Sequence, residues 1–385
     1  MEIPAYAARV VGRLEKAGYE AWCVGGCVRD TLMGRVPNDW DVTTSALPEQ
    51  TLALFDGVFC ADGEKPFKAV PTGIAHGTVT VLSCGQPVEV TTYRVDGEYT
   101  DCRRPDSVSF TSSLTEDLVR RDFTINAMAY SPTAGLRDPY GGADDLAAGI
   151  IRCVGDPVKR FSEDALRILR ALRFASVLGF TIDDATADAL LALRGLLDKI
   201  SRERVSAELA KLLCGRDAAA VLSRFTPVLT QILPGAVVDV PLLTRLHGEP
   251  LTTLLAALSA DGSDLLRLRF DSRTCSRVAL LARERNRPLS CKLDVKCLCR
   301  DIGHDAAREL MRLRGDRKAE SWLLEILADG DCVSIAQLAV GGREMLSLGI
   351  PSNKIGNVLD ALLNAVMEGR VPNEKSALEE FAATL

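Results

Sequence analysis

Asp39 and Asp41, separated only by Trp40, close a stretch that opens with Val24-Gly25-Gly26-Cys27-Val28-Arg29-Asp30. On a β-strand, side chains at i and i+2 leave the same face, so this spacing sets two carboxylates side by side. Two adjacent anions demand a divalent cation. The glycines, Gly26 among them, let backbone N–H groups approach a ligand closely, and Arg29 adds positive charge, a combination suited to a triphosphate. The run Pro87-Val88-Glu89-Val90-Thr91-Thr92-Tyr93 alternates apolar and polar residues and reads as a strand carrying Glu89. On a strand beside Asp39 and Asp41, Glu89 completes a three-carboxylate cage able to hold two Mg2+ ions with part of their water shell. The chemistry expected of Asp39, Asp41 and Glu89 is metal-assisted nucleotidyl transfer. Each part alone has a bland reading, since Asp-x-Asp pairs also occur in solvated turns and a lone Glu also decorates exposed strands.

Two further motifs suggest what the nucleotide is. In Arg120-Arg121-Asp122-Phe123-Thr124-Ile125-Asn126-Ala127, Arg121 is expected on phosphate, with Asp122 or Asn126 near the sugar hydroxyls, where a ribose 2′-OH can be sensed. A helix-capping role for Asp122 is the structural alternative. In Gly155-Asp156-Pro157 through Phe174, helix formers dominate from Ser162, an expected cap, which would place Asp164 and Arg167 one turn apart on a single helix. An intrahelical salt bridge between them would contribute only about 0.3–0.5 kcal/mol if exposed. The alternative is base reading. Adenine and cytosine each present an amino donor beside a ring-nitrogen acceptor, which Asp164 and Arg167 match. Guanine and uracil reverse that pattern and would leave buried groups unpaired at about 1–3 kcal/mol each. Arg167, Arg170 and Arg173 step along an i±3 ridge, so the later two can track phosphate or an RNA backbone.

The elements that must carry these residues follow from the hydrophobic pattern. Residues 5–18 read as a helix ended by Gly18, with strands near 19–24, 39–44, 76–82 and 87–93, the last two joined by a hairpin. From about 156 the pattern turns helical, over 160–178, 184–196 and 203–214 and beyond, so the fold class is α+β: a mixed-sheet head followed by an all-α remainder. The polar segment 94–118 is too long for a passive connection and is expected to close over substrate. Apolar and charged fractions of 47% and 25% are those of a globular protein, and no apolar run approaches a membrane span. No charged leader with an apolar stretch follows Met1, so no membrane partner and a cytoplasmic location are expected. The net charge of −6 excludes a histone-like coat but permits a local arginine face at 160–204. Twelve scattered cysteines, with no His beside Cys291, Cys297 and Cys299, read as buried free thiols rather than a zinc site.

Taken in order, these motifs resemble those of the class II, bacterial-type tRNA nucleotidyltransferases, the CCA-adding enzymes. That family belongs to the polymerase-beta-like superfamily together with bacterial poly(A) polymerases. The resemblance rests on Gly25-Gly26-x-x-Arg29-Asp30 with Asp39-x-Asp41, the Arg120–Ala127 motif, Arg160-Phe161-x-Glu163-Asp164-x-x-Arg167, and the helix Arg204–Leu212, and it covers about the first 215 residues. It implies a nucleotidyltransferase head at 1–150, a base-reading neck at 151–215, and a tRNA-binding body and tail at 216–385. It also implies magnesium on Asp39 and Asp41, phosphate contacts from Gly26, Arg29 and Arg121, base reading by Asp164 and Arg167, and support from Arg170 and Arg173. Glu89 matches the superfamily's third carboxylate. The implied reaction is attack of an RNA 3′-OH on the α-phosphate of CTP or ATP with loss of pyrophosphate, the partner being tRNA.

Asp96-Gly97 through Asp106, and Gly349-Ile350-Pro351 to Val371-Pro372-Asn373-Glu374, have the CCA-enzyme form. The alternatives are a poly(A) polymerase, an enzyme adding only A or only C, a non-catalytic RNA-binding module and a small-molecule nucleotidyltransferase. The last leaves the long helical remainder without a purpose. An appended metal-dependent phosphohydrolase is not expected from a chain with three histidines, His76, His247 and His304.

Overall fold

A computed structural model of the chain describes residues 1–58, 67–97, 107–259 and 261–385. Two compact units, Met1–Pro234 and Gly235–Leu385, divide it.

The first unit begins with α1 (Ala5–Lys16), β1 (Ala21–Val24), α2 (Gly26–Leu32), β2 (Asp41–Thr44), α3 (Pro48–Phe55), β3 (Lys68–Gly73), β4 (Thr78–Ser83) and β5 (Gln86–Thr92). There follow β6 (Arg94–Asp96), β7 (Val108–Phe110), α4 (Leu114–Val119), β8 (Ala129–Ser131), β9 (Gly135–Arg137) and α5 (Gly142–Ala148). Seven strands form one sheet in the order β3-β4-β5-β2-β1-β8-β9, antiparallel except where β2 runs parallel to β5. Alternation sorts the side chains between two cores. Cys23, Val42, Val88 and Val90 join the buried stripe Ala7, Val10, Val11 and Leu14 of α1, whose i, i+3, i+4, i+7 spacing is that of a one-faced helix. Trp22, Val24, Tyr93, Leu118 and Ala129 form the cluster on the other face. Because Val42, Val88 and Val90 point to the first core, Asp41 and Glu89 leave on the second face.

The helical part of this unit contains β10 (Ile150–Ile151), α6 (Pro157–Glu163), α7 (Leu166–Leu178), β11 (Thr181–Ile182), α8 (Asp184–Leu193), α9 (Arg202–Leu213), α10 (Ala218–Arg224) and α11 (Thr226–Ile232). The mixed-sheet head followed by helices is the architecture expected from the pattern. Four local expectations need correction. The strand expected at 39–44 starts at Asp41, leaving Asp39 exposed just before it. The helix expected from 160 to 178 is two helices, because Asp164 adopts φ −137°, ψ 101° between them. Ser162 lies inside α6, donating to the Val158 carbonyl, while Asp156 caps that helix by accepting from the Val158 N–H at 2.9 Å. A proline at 157 suits that start, since its missing N–H and fixed φ cost nothing in a first turn. The segment 94–118 is not loop throughout: β6 and β7 pair antiparallel and α4 follows, while residues 98–106 lie outside the described residues.

The second unit is helical: α12 (Val240–Arg245), α13 (Leu251–Leu258), α14 (Ser263–Arg267), α15 (Ser272–Glu284), α16 (Lys292–Arg314), α17 (Arg317–Asp329), α18 (Gly342–Ser347), α19 (Ile355–Met367) and α20 (Lys375–Ala382). Helix α16 breaks at Gly303, whose φ of 79° and ψ of 161° are not helical. Leu338, Met345, Leu362, Leu363 and Leu378 centre the core of its last helices. No described helix is long and apolar enough to cross a membrane.

Candidate active site

The carboxylates meet where β2 and β5 run side by side, with Asp41 and Glu89 directly in register. Burial, with the nearby charges of Asp39 and then Glu89, pushes the Asp41 carboxyl up to about 6, against the opposing pull of Arg121. The ready-made cage expected from the sequence is not formed: among the described residues no three His, Cys, Asp or Glu side chains converge tightly enough for one. What the geometry provides is three carboxyl groups close enough to repel, with a net demand for positive charge. A divalent cation fits that demand.

Positive charge enters this neighbourhood from Arg121. Burial depresses the basicity of its guanidinium, the nearest carboxylate oxygen, on Asp117, is 3.8 Å away, and its buried Nε has no hydrogen-bond partner among the described residues. An arginine held this way is only loosely paired and keeps a buried donor for a further anion. Gly25 makes room for it, since a Cβ at that position would stand 2.9 Å from Arg121 Nη1, and Gly25 has φ +79°. Gly26, by contrast, has space for a Cβ, which would meet Arg29 Nη2 at an ordinary 3.7 Å. The position that requires glycine is therefore the first of the pair, and Gly25→Ala should lower unfolding free energy by about 1–3 kcal/mol. The same substitution should raise the KM for nucleotide by displacing Arg121; denaturant titration alongside steady-state kinetics measures both.

Arg29 and Asp122 are tied into one network. Arg29 donates to Asp30 at 2.8 Å and to Asn126 Oδ1 at 2.6 Å, and its guanidinium lies 5.1 Å over the Phe174 ring. Asn126 Nδ2 donates at 3.1 Å to Asp122 Oδ1, which also accepts from the Phe123 N–H at 2.9 Å. Asp122 Oδ2 takes both Nε and Nη2 of Arg170, at 2.8 and 2.6 Å. Burial alone would raise the Asp122 pKa, but Arg170 and Asn126 hold it well below the usual carboxylate range, and Asp122 in turn raises that of Arg170. Asp122 and Asn126 thus spend their polar atoms on the protein rather than standing free for a sugar.

The Asp164–Arg167 salt bridge that was the structural alternative to base reading is not formed among the described residues, and each residue has another partner. Asp164 Oδ1 accepts from the Leu166 N–H at 3.1 Å, starting α7, and Oδ2 accepts from Arg204 of α9 at 2.9 Å. Arg167 Nη1 donates to Glu163 at 2.9 Å and to the Arg160 carbonyl at 3.2 Å, and Nη2 donates to the Arg120 carbonyl at 2.9 Å. Two of the five guanidinium N–H groups of Arg167 and the spare lone pairs of Asp164 are left over. Arg173 pairs with the buried Glu208 at 3.0 Å and lies 4.2 Å over Phe174, which Arg170 also approaches at 5.5 Å. The ridge of arginines read as a phosphate track is therefore a set of internal ion pairs.

Several contributors went unseen in the sequence. Asp117, fully buried, accepts from Thr43 of β2 at 3.1 Å, from the Arg94 N–H at 3.3 Å and from Arg120 at 2.7 Å, joining the carboxylate strand to β6. Its only sequence signal was an acid in the first turn of a short helix. Phe174, ringed by Arg29, Arg170 and Arg173, was not singled out. Glu163 and Arg204 were visible inside motifs, but their pairing with Arg167 and Asp164 needed the break between α6 and α7.

Comparison with known proteins places this geometry. Residues 21–152 match the family model described as the poly A polymerase head domain, and residues 179–236 match that for the probable RNA and SrmB-binding site of polymerase A. The CCA-adding enzyme of Levilactobacillus brevis is 37% identical, over 97% of this chain and 96% of that one. For Lactobacillus delbrueckii subsp. bulgaricus the CCA-adding enzyme is 36% identical over 99% and 98%. The solved Bacillus stearothermophilus CCA-adding enzyme in complex with CTP superposes with a TM-score of 0.79 at 30% identity, covering all of this chain and 98% of the other. The Thermotoga maritima CCA-adding enzyme complexed with tRNA shares the fold, with a TM-score of 0.72 at 21% identity over 98% and 94%. With sheet, network and near full-length likeness in agreement, the chain belongs to the CCA-adding enzymes, the tRNA nucleotidyltransferases built on a poly(A)-polymerase-type head.

Proposed function

We propose that this protein adds C, C and A without a template to the 3′ end of tRNA, from CTP and ATP, releasing pyrophosphate at each step. The observation that supports this most directly is the pairing of an anion-seeking site with a base-sized donor and acceptor set. Arg121, with its unpartnered buried Nε, and the amides after Gly25 bind the triphosphate. Asp39 and Asp41, with Glu89, would hold two Mg2+ ions. Bound there, the ions supply Lewis-acid stabilisation of the attacking 3′-oxygen and of the leaving pyrophosphate oxygens. Asp164 accepts from the exocyclic amino group of cytosine or adenine while Arg167 donates to the adjacent ring nitrogen. Arg170 and Arg173 stiffen that reader through Asp122 and Glu208. We assign the head to residues 1–150, the base-reading neck to 151–215 and the tRNA-binding body and tail to 216–385. An enzyme that consumes these substrates works in the cytoplasm.

The deciding experiment incubates the protein with tRNA ending at the discriminator base, giving CTP alone, ATP alone or both. Two cytidines from CTP alone and a completed CCA from the mixture are expected; a product without C would point instead to a poly(A)-type or A-only enzyme. Asp164→Ala and Arg167→Ala should each bring incorporation of GTP or UTP within about tenfold of the correct nucleotide, since one buried mismatch contributes about 1–3 kcal/mol of discrimination. Relative rates with the four nucleotides measure this, and an unchanged preference would remove both residues from base reading.

A further inference from the structure

The second unit holds a basic cavity that the chemistry of the head does not use. We propose that it seats a backbone phosphate of the RNA substrate, an inference resting on the tRNA reading above. The cavity has a volume of 590 Å3 and collects Arg245, Arg285, Asn286 and Arg314, with Asp239 as its one carboxylate.

The arginines differ in how they are held. Arg245, at the end of α12, donates to the carbonyls of Arg312 and Leu313 at the C-terminus of α16, the second at 3.2 Å. Those carbonyls carry the partial negative charge of a helix end. Gly315, with φ +66°, lets the guanidinium come that near, because a Cβ there would stand 2.9 Å from Arg245 Cζ. Arg314 donates to the Arg287 carbonyl at 2.5 Å, and its closest carboxylate, on Asp316, is 3.6 Å away. Backbone carbonyls thus fix two guanidinium groups in place, Arg245 without a paired carboxylate among the described residues. Arg285, just past the end of α15, has no side-chain hydrogen bond or ion pair among the described residues. Asp239 is occupied in capping α12, accepting from the Leu242 N–H at 3.0 Å.

Three forked cations, with Asp239 committed to its cap and Asp316 3.6 Å from Arg314, suit a tetrahedral oxyanion, since guanidinium N–H pairs match phosphate oxygens. No aromatic side chain lines the cavity, so it offers a base nothing to stack on. The shared chemistry is phosphate. Of its two sources, a phosphodiester of the RNA chain and free inorganic phosphate, the substrate of this enzyme supplies the first as a dense array, and the acidic chain has need of local positive seats for it.

Arg285→Gln tests this in the full-length protein, because the side chain makes no hydrogen bond or ion pair among the described residues whose loss would disturb folding. Binding of tRNA lacking CCA, measured across a salt series, should weaken about three- to tenfold near 0.1 M salt, with the log–log salt slope falling by about one. The kcat and the KM for CTP should stay as they were, and Arg285→Lys should restore the slope. Unaltered tRNA affinity and slope in Arg285→Gln would overturn the proposal. So would inorganic phosphate raising the melting temperature of the native protein but not of Arg285→Gln while tRNA binding is indifferent to the change, which would make the cavity a free-anion site. A native chain that binds no tRNA sinks both readings, whereas one that extends tRNA normally with Arg285→Gln indistinguishable sinks this one alone.

Discussion

Asp41→Asn should reduce nucleotide incorporation about a thousandfold or more while leaving a folded protein. The expected loss follows from the several kcal/mol of charge stabilisation that a bound metal supplies at a reacting phosphoryl group, at about 1.4 kcal/mol per factor of ten. Folding should not suffer. The Asp41 carboxylate sits against Asp39 and Glu89 in a half-buried place that pushes its pKa up to about 6, so in the absence of a cation the charge is a burden on the native state. Neutral asparagine removes that burden, and in the presence of EDTA the variant should match or exceed the native protein in melting temperature, with a gain in unfolding free energy of about 1–2 kcal/mol at most after solvent screening. Added Mg2+ should then stabilise the native protein and leave the variant where it was. Activity and melting temperature therefore move in opposite directions, a signature that general damage to the fold would not produce. An active Asp41→Asn protein, or one that melts lower without metal, would defeat the metal assignment.

The second large effect belongs to Asp122. Asp122→Ala strands the Arg170 guanidinium, releases Asn126 from the position in which it accepts from Arg29, and leaves a gap among buried groups. Breaking a buried pair by deleting one partner costs about 3–5 kcal/mol, and unfolding in denaturant should register a loss of that size. The pH dependence has a definite sign. Because the folded-state pKa of Asp122 lies below the ordinary carboxylate value of 3.8, its contribution is fully present above that value and disappears as pH falls toward the lower, folded value. The native protein should thus lose stability on acidification below about pH 4 more steeply than Asp122→Ala. Parallel acid limbs for the two proteins would show that the pair contributes little.

How much of this was readable beforehand depended on whether the signal was local. The carboxylates of the head were so only in part: alternation within the β-branched run fixes the face from which Glu89 leaves, whereas the pairing of β2 with β5 that aligns it with Asp41, and the place of Asp39 before the strand, are tertiary. The change from mixed sheet to helices was also local, being a change of period. The helix across Asp164 was not. Ser162, Glu163, Ala165 and Leu166 all favour or tolerate helix, and only the tertiary pull of Arg204 on Asp164, with Arg167 turned toward Glu163 and the Arg120 carbonyl, explains a break there. Arginine partners were illegible for the same reason, since Arg170 finds Asp122 and Arg173 finds Glu208 across dozens of intervening residues. Gly25 and Gly26 are identical as letters; the approach of Arg121 tells them apart.

That each arginine of the proposed reader is paired with an acid, Arg160 and Arg167 sharing Glu163, bears on what kind of selection the enzyme can perform. Arg29 with Asp30, Arg160 and Arg167 with Glu163, Arg170 with Asp122, Arg173 with Glu208 and Arg204 with Asp164 make a largely neutralised wall beside the proposed triphosphate site. A neutral wall exerts no long reach. On the reading proposed above, attraction of the anionic tail falls to Arg121, whereas the choice among heterocycles is made only at contact, by dipoles whose influence fades within an atomic diameter or two. Capture and discrimination are thereby separated in range: the first answers to the ionic atmosphere, and the second is shielded from it.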